Sequence, residues 1–196
     1  MRRIRCLFTR CLFTRCAWGL LAALAPIAAA HDLADNRAQL VLRDKTHLTV
    51  TFYIAYPDAL QLALSPKRSP QEFLVTYSAM RVEDLQKELL RAQAKFQAGT
   101  HIYIGPGQEL VLTNWVRPQA SQVRTLLQQR LMQALVDPKN YGHDTPLEMH
   151  AEGIAPREVT SVQVQFPEEF QKVLVVAFRP TQLWTEPKSI SPSIKF

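Results

Sequence analysis

Arg37-Ala-Gln-Leu-Val-Leu-Arg43, Asp44-Lys-Thr46, His47-Leu-Thr-Val-Thr-Phe-Tyr-Ile54 is the stretch on which the fold turns. Ala38, Leu40 and Leu42 alternate with Arg37, Gln39 and Arg43, with Val41 as an apolar residue on the polar side. After the polar Asp44-Lys45-Thr46 break, Leu48, Val50, Phe52 and Ile54 face one way. His47, Thr49, Thr51 and Tyr53 face the other. A period of two marks strands with one buried face, and the polar break between two such runs marks a hairpin. Residues 37–54 therefore read as a β-hairpin turning near Lys45.

Outward from the hairpin the period changes. Tyr56-Pro57-Asp58 ends the alternation, and Pro57 opens a short helix that Ser65-Pro66 stops. Phe73-Leu-Val-Thr-Tyr77 reads as a short strand. Val82, Leu85, Leu89, Ala92 and Phe96 then recur at spacings of three and four, which predicts an amphipathic helix over 82–97. Glu83 with Lys87 and Glu88 with Arg91 are favourably spaced ion pairs, and Gly99 is a candidate C-cap. Residues 101–104 and 109–113 flank Gly105-Pro106-Gly107 and suggest a second hairpin. A second long helix is expected from Pro118 to Val136, with Val123, Leu127, Leu131 and Ala134 as its stripe, widened by Leu126 and Leu135. Strands are expected at 147–151, 159–166 and 173–179, and a further one at 182–185.

The order lacks βαβ alternation. The expected fold class is α+β, a mainly antiparallel sheet with two amphipathic helices packed on it. The alternative is an immunoglobulin-like β-sandwich with inserted helices. One globular domain is expected over residues 31–187, with a loose C-terminal tail over 188–196.

Residues 1–30 carry a different message. Arg2, Arg3, Arg5, Arg10 and Arg15 precede an apolar run from Cys16 that ends in Ala28-Ala29-Ala30. This is the plan of a cleavable secretory signal peptide, with a mature chain starting at His31. The run is too short for a spanning helix, which needs about 20 residues. Five of the 23 basic residues and none of the 17 acidic ones lie in this segment, leaving 18 against 17. The basic balance of the whole chain is thus no nucleic-acid footprint. Cys6, Cys11 and Cys16, the only cysteines, also leave with the leader. Disulfides and thiolate chemistry are excluded for the processed chain.

Few residues suggest chemistry. No G-x-S-x-G surrounds a serine, no H-E-x-x-H occurs, and Gly105-Pro106-Gly107 is not followed by the Lys-Ser/Thr of a phosphate loop. The adjacent Glu168 and Glu169 would diverge on a strand, or start a helix after Pro167. Tyr53, Tyr56, Tyr77, Tyr103, Trp115 and Trp184 could line a groove, though aromatics in strands serve more often as packing. His31, once N-terminal, would offer an α-amine and an imidazole to copper, with His101, His143 or His150 as a further ligand. His47, at the turn end of the hairpin, lies too far from His31 to serve. This use of His31 resembles the N-terminal histidine of copper-brace proteins such as lytic polysaccharide monooxygenases and of some periplasmic copper carriers.

The layout as a whole resembles exported, periplasmic proteins of Gram-negative bacteria that begin with a histidine after the leader. That resemblance implies a compartment and no activity. The expectation is a non-enzymatic periplasmic binding or accessory domain that needs no cofactor. Its partner would be an envelope protein or a small ligand, with no nucleic acid and no integral membrane segment after cleavage. The alternative is a copper-binding protein built on His31.

Overall fold

The computed structural model describes residues 36–105, 107–136 and 146–180. The leader, His31, His143, residues 182–185 and the tail expected over 188–196 lie outside these. Strands β1 (Arg37–Arg43) and β2 (His47–Ile54) form the expected hairpin, in register from Arg37 opposite Tyr53 to Arg43 opposite His47. Asp44 and Lys45 take positive φ angles of 47° and 63° at the turn. That conformation is costly for residues with a Cβ. The turn is held from outside: Val159 N–H donates to Lys45 O at 2.8 Å and Ala155 N–H to Thr46 O at 2.9 Å.

Three helices follow: α1 (Tyr56–Leu64), α2 (Pro70–Ser78) and α3 (Val82–Gly99). The strand expected at 73–77 is thus the body of α2. A capping box starts it: the Ser69 hydroxyl accepts from Glu72 N–H at 3.3 Å, and Ser69 N–H donates to the Glu72 carboxylate at 2.9 Å. Pro70 follows the cap at the first helical position. These start signals outweigh the β-leaning composition of the five residues. Helix α3 buries Leu85, Leu89, Ala92 and Phe96, as their spacing requires. On its surface Lys87 pairs with Asp84 at 3.0 Å, not with Glu83, and Arg91 pairs with Glu88 at 2.9 Å. Gly99 is not a left-handed cap. It is needed because a Cβ there would lie 2.7 Å from the Pro167 Cβ.

Strand β3 (His101–Ile104) meets the expected second arm only at its start: Ile104 N–H donates to Gln108 O and Leu110 N–H to Ile102 O, each at 2.7 Å, around one antiparallel bridge from Tyr103 to Glu109. The expected hairpin does not continue to 113. Strand β3 pairs with β6 (Val162–Gln165) in a separate two-stranded sheet, and β4 (Thr113–Val116) joins the main sheet instead. Helix α4 (Ala120–Val136) buries Ala120, Val123, Leu127 and Ala134, whereas Leu135 is exposed. Strand β5 (Leu147–Ile154), a 3-10 turn at Glu168–Phe170 and β7 (Leu174–Phe178) complete the described chain.

The main sheet has the order β4-β5-β2-β1-β7, and only β7 runs parallel to its neighbour. With four described helices and a mostly antiparallel five-stranded sheet, the fold is α+β and not a sandwich. Its core gathers rings from separate elements. Phe52 of β2 stacks on Trp115 of β4, with centroids 5.7 Å apart, and meets Phe166 and Phe170 at 5.8 Å each. Phe170 meets Phe96 of α3 at 5.0 Å, and Phe96 meets Tyr56 of α1 at 6.3 Å. No described helix is long and apolar enough to cross a membrane.

Two consequences can be measured. Phe52→Ala should cost about 3–5 kcal/mol, as large aromatic deletions in cores do, read by urea unfolding. The Ser69 backbone N–H, and then its hydroxyl, hold the Glu72 carboxyl below its usual range. A depressed carboxylate pKa stabilises above the ordinary value and stops doing so as pH falls through the depressed one. Glu72→Gln should therefore lower the melting temperature at neutral pH, and the gap to the parent should close on acidification.

Candidate functional site

Of the histidines named from the sequence, the two that are described, His101 and His150, lie on different sheets. His101, on β3, has its Nδ1 2.6 Å from Glu109 Oε1 and its ring stacked near Tyr103. His150, on β5 of the other sheet, has its Nε2 3.4 Å from Glu148 Oε2. Its Nδ1 lies 3.1 Å from Thr51 Oγ1. Among the described residues, no group of three or more His, Cys, Asp or Glu side chains is placed to hold a metal ion.

Thr51, His150 and Glu148 stand in the order of a hydroxyl nucleophile, a base and an orienting carboxylate. Sequence reading put Glu148 and His150 on one face but missed Thr51. The register supplies it, because Thr51 lies opposite His150. Acyl chemistry also needs N–H donors for a developing oxyanion. Strand β2 is central, paired with β1 on one side and β5 on the other. Its N–H groups are consumed in those two ladders, so β2 itself offers none to an oxyanion.

The aromatic residues do not share a groove either. Tyr56, Tyr77 and Trp115 pack into or against the core, and Tyr53 lies under the Arg37 guanidinium at 4.3 Å. Trp184 lies outside the described residues. Burial pushes the Tyr56 phenol well above its usual range, and the Arg117 charge opposes that only in part. Its hydroxyl is buried without a hydrogen-bond partner.

Two concave regions among the described residues bear on function. One, of about 520 Å³, lies between the ends of α1 and α3 and the 3-10 turn. Lys95, Glu168 and Glu169 supply its charge, with Leu62 and Phe166 as apolar walls. The Lys95 ammonium donates to Ala63 O and closes the end of α1. The adjacent glutamates thus sit on the turn after Pro167 and share this cleft.

The other region, of about 370 Å³, runs along the inner side of β7. Leu40, Leu42, Leu48, Val159, Val162 and Ala177 give it an apolar lining. Arg179 reaches across its end to donate to Val159 O. Strand β7 is more open than β1 and β2: Leu174, Val175, Val176 and Phe178 are between 39% and 44% exposed, so both faces of the strand are partly exposed. The side chains of the central β2 core face are at most 1% exposed.

No family model matches the chain, and comparisons with curated proteins and with solved structures return no match.

Tyr56 and Asn36 provide an internal comparison. Asn36 is buried and accepts from Ala55 N–H at 2.7 Å while donating to Phe170 O at 2.8 Å. Asn36→Ala strands both partners and should cost about 1–3 kcal/mol. Tyr56→Phe removes a hydroxyl that bonds nothing and should be neutral or stabilising by up to about 1 kcal/mol. Paired denaturation curves read both.

Proposed function

We propose that this chain is an exported, non-enzymatic binding or accessory domain of the periplasm, whose partner is another envelope protein. The leader composition over residues 1–30 supports export. The observation that carries the binding role is β7, an apolar strand partly exposed on both faces and continuous with an apolar groove. Contiguous exposed apolar surface on a folded protein marks interaction sites more often than chance. A flat strand edge suits a polypeptide better than a small molecule, which needs enclosure.

The cysteines all lie in the leader, so a single engineered thiol would be unique in the processed chain. Val176→Cys, coupled to a short photo-crosslinker in intact envelopes, should give one adduct of defined mass. Ala94→Cys, on the exposed surface of α3, should not. Intact mass of the recovered protein should correspond to a chain starting at His31. Identical adduct patterns from the two sites, or a cytosolic chain that keeps its leader, would overturn the reading.

A further inference from the structure

We infer that β7 is the docking edge for an extended segment of another polypeptide, apolar along its length and acidic at its ends, which adds to the sheet as a sixth strand. This rests on the binding role above and names the chemistry of the partner.

Three observations carry it. First, the sequence of β7 does not match its surroundings. Leu174-Val-Val-Ala-Phe178 is apolar at every position, unlike the alternating β1 and β2. Among the described strands it is also the only one whose pairing is parallel alone. Continuous apolar runs and parallel pairing belong to strands buried on both faces, yet this one is partly exposed on both. Second, the backbone groups of β7 that no described strand pairs are identifiable. Leu174 N–H donates to Asn36 O, so Leu174, Val176 and Phe178 turn their peptide groups to β1. By the alternation of a strand, Val175 and Ala177 turn their N–H and C=O to the open edge. Those groups are what an added strand engages.

Third, charge selects the partner. Lys172 and Arg179 bracket the strand, and Arg37 and Arg43 stand at the ends of neighbouring β1. A second copy pairing antiparallel about Val176 would bring Lys172 of each chain beside Arg179 of the other. Like charges so placed oppose pairing. A segment with acidic ends meets this edge favourably, and its side chains reach the groove beside Ala177.

The test uses the processed full-length chain and a labelled synthetic peptide of roughly nine residues, the size of an ordinary strand with its flanks. Its core is valine and isoleucine and its ends are aspartate. A counterpart has lysine ends, and a third peptide carries N-methyl groups on the amides of one edge. The aspartate peptide should bind about fivefold or more tightly than the lysine peptide at low salt, with the difference shrinking as salt is added. Ala177→Pro removes an edge N–H without touching the β1 ladder. It should weaken binding about tenfold, the equivalent of one or two backbone hydrogen bonds. Should that variant unfold, N-methylation of the peptide makes the same cut on the other partner.

Equal affinity for the two peptides, or binding indifferent to both backbone changes, would overturn the proposal. So would a dimer in sedimentation equilibrium that Ala177→Pro dissociates, which assigns the edge to a second copy. Strong hydrogen-exchange protection at Val175 and Ala177 in the unliganded monomer would also overturn it, because the chain would then cover its own edge. Failure of the export and binding reading shows separately, in the intact mass and the crosslinks.

Discussion

The Phe52 ring lies at the middle of β2, with Trp115 flat against it and Phe166 and Phe170 at its other sides. These three neighbours come from β4, the segment after β6 and the 3-10 turn, all distant in sequence. The cluster therefore defines where the loops must return. Through Phe170 the contact continues to Phe96 and Tyr56, which ties α3 and α1 to the same point. Aromatic pairs of this kind add directional preference to simple burial. Residues 36–180 contain no cysteine, so such packing must serve where no disulfide can close their long loops. Asn36 completes the junction with two buried hydrogen bonds, one to the start of α1 and one to Phe170.

The same junction places β7. After Phe170 the chain turns at Gln171, whose φ is 51°, and enters β7 alongside β1. The hydrogen bond from Leu174 N–H to Asn36 O starts that ladder. Asn36 thus holds α1 and the 3-10 turn through its side chain and β7 through its carbonyl. Beyond this start β7 pairs with β1 through Phe178, and its side chains are only partly covered. Segments with few buried apolar contacts open most easily. An edge that is positioned firmly at one end and thinly packed along its length is suited to accept another strand.

How much of this was legible depended on whether the deciding signal was local. The 37–54 hairpin and the 82–99 helix were readable, because period and burial are properties of consecutive residues. Val41, the exception in the alternation, is on the face opposite the core and still only 9% exposed. The 70–78 helix is hidden by the β propensity of Phe73-Leu-Val-Thr-Tyr77, which taken alone favours a strand. The stronger signal stood just before it in Ser69-Pro70-Gln71-Glu72, a capping box with proline inside it. The 101–113 hairpin is legible only in its first pairing, for a different reason. Gly105 and Gly107, at φ angles of 64° and 72°, sit where the sequence places the turn, but Asn114 at a φ of 51° and an irregular register deflect 113–116 into the other sheet. That choice of partner is tertiary and leaves no period in the sequence.

Gly153 shows how such tertiary demands are recorded when they are recorded at all. On β5 it sits opposite Leu48, on the core face. A Cβ there would come within 2.8 Å of the Leu110 side chain and 3.2 Å of Val111 O. The missing side chain makes room for the segment that leads into β4, so the glycine is a packing residue in a strand where propensity disfavours it. Gly99 does the same for Pro167 and the turn carrying Glu168 and Glu169. The candidate binding edge has the converse signature. Its apolar run was legible as a strand, but nothing local distinguishes a strand buried on both faces from one left open. Only the sheet order reveals that β7 is outermost among the described strands. An uninterrupted apolar strand is therefore ambiguous in sequence and becomes informative once its neighbours are known.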